Sequence, residues 1–315
     1  MAQQIVVFGH GPVGAAATEL LTRQGRNVRV AQRSRPADLS AGASFQRCDV
    51  LDPEAVRAAA AGADQVVVAI GFPYEAAIWR KAWPRAMANL LAACEAEGAR
   101  MVFVDNLYMY GPQRAPLVED MPLTTYGGKP AVRSEVTRLW RAADAAGRVK
   151  VAALRAPDFY GPGVGNSHIG DVGFGALAKG RAATLIAPPD TPHDFAYVPD
   201  IARCVATLLD APDDAFGQVW HTPCAPIRTP REILALGAAA IGVKPRITAL
   251  PLGLLPVFGL VSPMLREMAE MRFQWDRPYH VDAARWRARF WSDVTPFEVG
   301  APATARAFAQ AVVAA

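Results

Sequence analysis

Along the first half of the chain, short unbroken apolar runs alternate with longer amphipathic stretches. Ile5-Val6-Val7-Phe8 reads as a buried strand ending in glycines. Pro12 to Gln24 reads as a helix, with proline near its start and Gly25 just past its end. Asn27 to Ala31 and Ser44 to Arg47 read as strands two and three. The acidic turn Asp49-Val50-Leu51-Asp52 then leads into a helix over Pro53 to Ala61. Gln65 to Ile70 is strand four, Ala76 to Glu97 a long helix, and Arg100 to Val104 strand five. A helix from about Ala131 to Ala146 precedes strand six, Lys150 to Arg155. Strands that are apolar throughout and separated by helices predict a parallel sheet covered on both faces.

After Arg155 the pattern loosens. Pro and Gly cluster over 157–180 and again over 223–263. Between them, Asp194 to Val198 reads as a strand and Asp200 to Leu209 as a helix. The fold class expected is therefore α/β: a Rossmann-type doubly wound parallel sheet with a smaller, discontinuous C-terminal substrate region. The core is expected over 1–155, continued by about 190–222, and the substrate-binding region over 156–189 and 223–315.

The chain has 315 residues, enough for a large α/β domain with an appended part, and 52% of them are hydrophobic. The formal charge is +4, but no run of five or six like charges occurs, so nucleic-acid binding has no support. Cys48, Cys94, Cys204 and Cys224 lie far apart, and no two histidines stand four residues apart, so no metal site is expected. Scattered reduced thiols point to a cytoplasmic protein. The run Ile5 to Phe8 is too short for a signal peptide. The most apolar stretch, Leu250 to Leu265, carries three prolines and reads as buried or lid-like rather than membrane-spanning. No membrane partner is expected, and the chain is read as a monomer or homodimer.

Gly9-His10-Gly11-Pro12-Val13-Gly14 is G-x-G-x-x-G. It follows the first strand and opens a helix, which is the context a dinucleotide pyrophosphate needs. The end of strand two bears on cofactor choice. It carries Gln32, Arg33, Ser34 and Arg35, with no carboxylate to accept from ribose hydroxyls. Two guanidiniums suit a 2′-phosphate, so NADP(H) is expected over NAD(H), with NAD(H) remaining possible. Asp49 can accept from an adenine amino group or cap its own turn. His10 can contact the cofactor or remain an exposed loop residue.

Three segments together resemble the extended short-chain dehydrogenase/reductase family, the NAD(P)-dependent epimerase/dehydratase type, in its atypical form. Phe103 to Pro112 (FVDNLYMYGP) is similar to the strand-five motif ending in Val-Tyr-Gly. Leu154 to Gly163 (LRAPDFYGPG) is similar to the strand-six motif. His193 to Ala202 (HDFAYVPDIA) resembles the Asp-Phe-x-Tyr-Val block. The resemblance covers roughly residues 3 to 220 and implies a nicotinamide cofactor, with Ala69, Ile70 and Gly71 after strand four completing its contacts. It also implies hydride transfer to or from a small carbonyl or hydroxyl substrate, or a nucleotide sugar.

The catalytic positions depart from the family pattern. Its Ser/Thr position falls on Asn106, and Tyr-x-x-x-Lys is absent. One alignment takes Tyr126 as the tyrosine and accepts Lys129 one residue too near. The other counts back from Arg155 by about 26 residues, a helix and its next strand, to Lys129, and puts Arg133 in the lysine position. Gly127, Gly128 and Pro130 place Tyr126 before the helix, which favours the second. Arg133 would then hold the ribose or a phosphate, and Lys129, its pKa lowered beside a guanidinium, would serve as acid. Alternatively, both sit on a solvated helix start. Tyr126, Tyr108 and Tyr110 remain proton-donor candidates, with Tyr110 expected to be structural. Asp158, the 166–168 segment and His193 are candidate substrate contacts, and Trp79, Trp83 and Trp140 are read as packing residues. The leading expectation is an NADP(H)-dependent oxidoreductase or epimerase/dehydratase. The alternative is a non-catalytic NADP(H)-binding sensor.

Overall fold

The computed structural model describes residues 3–186, 188–254, 257, 259–260 and 262–314. The chain divides into two compact units. The first comprises Met1–Gly111, Pro122–Ala156 and Ile201–Trp220, and the second Pro112–Met121, Pro157–Asp200 and His221–Ala315.

The first unit is built on β1 (Gln4–Phe8), β2 (Asn27–Gln32), β3 (Ser44–Arg47), β4 (Gln65–Val68), β5 (Arg100–Asp105) and β6 (Val151–Arg155). Spatially the sheet runs from the strand Val219–His221 through β6, β5, β4, β1 and β2 to β3. The pairings among β1 to β6 are all parallel, as the apolar runs predict. Strand order reverses between β1 and β4, so their carboxyl ends form the crevice where doubly wound sheets bind ligands.

The crossover helices are α1 (Pro12–Arg23), α2 (Pro53–Ala60), α3 (Ala76–Glu97) and α4 (Lys129–Ala145). α3 packs on α2 and α4. Trp79, Trp83 and Trp140 are buried with Leu90, Val66, Phe103 and Val136, so their packing role holds. α4 begins two residues earlier than the apolar periodicity suggests, because Pro130 fits its first turn and Lys129 is drawn into the helix.

The second unit holds the strand expected near 194–198 and several elements that Pro/Gly-rich sequence conceals. Strand Asp158–Tyr160 pairs in parallel with Phe195–Tyr197, and Ala183–Leu185 with Ile247–Ala249. Helices Pro230–Ala240 and Phe297–Ala314 pack together over Tyr160, Phe174, Leu234 and Phe297. Residues 112–121 join this unit rather than the sheet. Leu117 exchanges backbone hydrogen bonds with His280 and Asp282, both at 2.8 Å. In the apolar stretch 250–265, residues 255, 256, 258 and 261 lie outside the described residues. Leu254, Val257, Leu260 and Met264 are exposed rather than buried. Among the described residues, no helix is long and apolar enough to cross a membrane.

Leu90 lies at the centre of the helical layer and is almost wholly buried. Leu90→Ala is expected to lower stability by about 2–5 kcal/mol, read from denaturant unfolding.

Candidate functional site

The turn between β1 and α1 is shaped by backbone crowding. Gly9 has φ +93°, and a Cβ there would stand 2.5 Å from the Ala69 carbonyl oxygen. A Cβ on Gly14 would stand 2.2 Å from the Gly9 carbonyl oxygen. The space around Gly11 is open. Gly11 is also the N-cap of α1, and no side chain caps that end. Pro12 and Val13 follow, with no acidic residue in the first turn. The result is an uncapped helix N-terminus beneath an open glycine, which is what a pyrophosphate requires.

At the end of β2, Gln32 is occupied. Its Oε1 accepts from the His10 N–H at 3.0 Å, and its Nε2 donates to the Ser34 carbonyl at 2.8 Å. Arg33 and Arg35 are exposed. Arg47, the register partner of Gln32 on β3, is a third exposed cation at this edge and was not singled out from sequence. Asp49 is exposed and accepts from the Leu51 N–H at 3.0 Å, the turn-capping role. Ala69 and Ile70 are half-buried at the end of β4, and Gly71 is exposed.

His10 is not an exposed loop residue: its side chain is 2% exposed. Burial holds the imidazole below its ordinary value, with the Asp38 carboxylate pulling the other way.

At the end of β5 lies a buried ion cluster. Asp105 Oδ1 accepts from Arg133 Nη2 and, at 2.7 Å, from the Asn106 N–H. Arg155 Nε stands 3.7 Å from Asp105 Oδ2. Arg155 also donates to the Tyr110 hydroxyl at 2.7 Å and to Thr137 Oγ1 at 3.0 Å. Tyr110 is therefore structural, as expected. The Arg133 guanidinium lies 3.9 Å from the Trp83 ring centre. All three charged side chains are 1% exposed or less, so this start of α4 is not a solvated face.

Sequence reasoning identified Arg133 but missed Asp105, the partner that claims it. The signal was available as a carboxylate at the last position of an apolar strand, where burial demands a cation.

Lys129 is fully buried, with Nζ 4.7 Å from the Tyr74 ring centre. The Tyr74 and Tyr108 hydroxyls are 3.5 Å apart, and Tyr108 stacks on Trp79. Tyr74 is a second aromatic residue that sequence spacing did not reveal. Asn106 Oδ1 accepts from the Tyr108 N–H at 3.0 Å, which orients its amide N–H groups as donors for a ligand. Tyr126 is 44% exposed in the turn before α4. The structure thus brings Asn106, Tyr108 and Lys129 to one region of the first unit and leaves Tyr126 on the surface.

The second unit carries its own polar cluster. Asp158 Oδ2 is 3.1 Å from His193 Nε2, without the alignment of a hydrogen bond, and accepts from Trp275 Nε1 at 3.4 Å. Burial alone would raise the Asp158 pKa. The His193 contact, the nearby imidazoles and the indole N–H outweigh it and hold the carboxyl below its usual range. His168 stacks on Trp275 and is pushed down to about 4 by burial, with Asp158 opposing. His168, His193, Thr191 and Trp275 line a shallow surface recess. Among the described residues, no group of three or more His, Cys, Asp or Glu could hold a metal ion.

Asp105→Asn leaves two buried guanidiniums without a countercharge. It is expected to cost about 3–5 kcal/mol in denaturant unfolding. The double variant with Arg133→Met should cost less than the single one, giving a favourable coupling term.

His168 binds its proton far more weakly folded than unfolded. The unfolded chain therefore takes up the extra proton between the ordinary histidine value and about 4, and stability falls as pH drops through that window. Removing the imidazole by His168→Phe should flatten this dependence by roughly 3 kcal/mol between pH 7 and pH 4, measured by urea unfolding.

Comparison with known proteins accords with this geometry. No curated protein is similar enough in sequence to match the chain. A UDP-glucose 4-epimerase from Thermus thermophilus, solved in complex with NAD, has a TM-score of 0.76 at 20% identity, over 97% of this chain and 99% of that one. A dTDP-glucose 4,6-dehydratase from Streptomyces venezuelae, solved with NAD and TYD bound, has a TM-score of 0.79 at 17% identity, over 98% of this chain and 97% of that one. At such identities the likeness is one of fold. The model of the NAD dependent epimerase/dehydratase family matches residues 5–220, more than half the chain. With its glycine turn, switch-point crevice and that match, the chain belongs to the NAD dependent epimerase/dehydratase family.

Proposed function

We propose that the chain is an NADP(H)-preferring oxidoreductase, or an epimerase/dehydratase that oxidises its substrate transiently, with a rearranged proton-transfer site. The observation that carries this reading is the β1–α1 turn, where Gly9 and Gly14 admit no Cβ and Gly11 opens onto bare helix N–H groups. Gly9 to Gly14 would hold the pyrophosphate, and Ala69 to Gly71 would flank it. Arg33 and Arg35, with Arg47 beside them, would receive a 2′-phosphate, because Gln32 offers no carboxylate in its place. Relatives of this fold have been solved with NAD, so NAD(H) is the competing cofactor.

When bound, the nicotinamide supplies a hydride donor or acceptor. The chain's own residues must then orient an oxygen and move one proton. Asn106 donates an amide N–H to that oxygen but cannot relay its proton. Tyr108 or Lys129 moves the proton. Arg133, committed to Asp105, serves as a fixed buried charge rather than a mobile ligand. The substrate is a small carbonyl or hydroxyl compound or a nucleotide sugar, with Asp158, His168 and His193 as candidate contacts. The protein is read as cytoplasmic, a monomer or homodimer.

The test is cofactor turnover with a carbonyl and sugar-nucleotide panel, after binding constants for NADPH and NADH are measured. Lys129→Met and Tyr108→Phe are expected to lower kcat by about 10²–10⁴-fold while leaving NADPH binding intact. Tyr126→Phe should retain activity, and its loss there would restore the alignment on Tyr126. Tight NADPH binding without turnover anywhere would favour a sensor.

A further inference from the structure

His10 is more than a spacer between two glycines. Its backbone N–H donates to Gln32 Oε1, which ties it to the end of β2 rather than to the mouth of α1. Its side chain is 2% exposed, yet neither ring nitrogen meets a hydrogen-bond partner among the described residues. The nearest charge is the Asp38 carboxylate, 3.6 Å from Nε2 and itself 80% exposed. Arg33 and Arg35 stand on the same segment, five and three residues before Asp38, and are also exposed. A buried imidazole without a partner, beside an open carboxylate, is a costly arrangement unless a ligand completes it.

We propose that His10 and Asp38 form a proton-coupled selector that sets how strongly the chain prefers NADP(H) to NAD(H). The proposal rests on the dinucleotide reading above and deepens it. With His10 neutral, Asp38 is an uncompensated carboxylate at the edge where the adenosine ribose is read. A ribose 2′-hydroxyl can donate to it, whereas a 2′-phosphate is repelled. With His10 protonated, the imidazolium cancels Asp38, and Arg33 and Arg35 dominate the local field.

Burial favours the neutral ring in the free protein, while Asp38 and an arriving phosphate favour the charged one. Binding of NADP(H) therefore takes up a proton from solvent at His10, and the N–H bond on the imidazole is the one covalent bond formed. Selectivity for NADP(H) falls as pH rises. Asp38 is the charged group that bears on the ring among the described residues.

Equilibrium dissociation constants for NADPH and NADH, measured by fluorescence titration from about pH 5 to pH 8, test this without any substrate. The 2′-phosphate has its own second ionisation near pH 6, which His10→Asn retains, so that variant is the baseline. From low to high pH, the wild-type preference for NADPH should fall about tenfold further than that of His10→Asn. Asp38→Asn, at an exposed position, should keep NADPH favoured at pH 8. Calorimetry in buffers of different ionisation heat should show proton uptake with NADPH in wild type and less in His10→Asn.

The same pH dependence in all three proteins would overturn the selector. Tighter binding of NADH at every pH, with the variants still differing, would remove the NADP(H) preference and keep the selector. Binding of neither dinucleotide by wild type would overturn both.

Discussion

The Asp105 carboxylate is the contact on which the site's geometry depends. It is the last residue of β5 and is almost wholly buried. It draws Arg133 of α4 and Arg155 of β6 onto one point, so three elements share a single electrostatic anchor. Two guanidiniums against one carboxylate leave a net positive charge in a medium that solvates charge poorly. The aromatic faces of Trp83 and Tyr110 absorb part of that cost through cation–π contact. Removing either sign would expose the other, so the cluster resists piecemeal change.

Positions of the reactive groups follow from this anchor. Asn106 is the next residue after Asp105, and its own N–H is held by the same carboxylate. Its amide oxygen then fixes the turn that presents Tyr108. On α4, Arg133 sets the helix's rotation, and Lys129, four residues earlier, shares its face. A single ion cluster thus orients a candidate acid, a candidate oxygen ligand and an aromatic wall. Arg133 is held in a structural role by Asp105.

What was legible in the sequence was local. β1, the glycine turn and α1 could be read because strand, crowded turn and helix lie within about 20 consecutive residues. The parallel sheet follows from apolar runs and crossover helices, and its strand order came with the structure. Asp105 with Arg133 and Arg155 was not legible as a unit, since 28 residues separate Asp105 from Arg133 and the pairing exists only once α4 packs. Tyr74 escaped notice for the same reason: it lies before α3, and only the fold carries it beneath Lys129. In the second unit Phe195–Tyr197 was legible, but Asp158–Tyr160, Ala183–Leu185 and Ile247–Ala249 are three residues long and pair across long separations, so neither period nor turn chemistry announces them.

The two halves of the candidate chemistry are constrained by different physics. The dinucleotide turn is limited by backbone crowding: a Cβ at Gly9 or Gly14 would meet a carbonyl oxygen that cannot move away. No other side chain can substitute there, which is why these glycines stand out in the sequence. Proton transfer has no such steric uniqueness. Any group that can gain and lose a proton within reach of the reacting oxygen will serve, provided its neighbours hold it in place. A chain can therefore lose a tyrosine–lysine pair and keep the fold, so long as a buried charge still fixes the helix and a titratable group lies along it. On α4 that buried charge is Arg133, held by Asp105, and the titratable group is Lys129, buried one turn earlier.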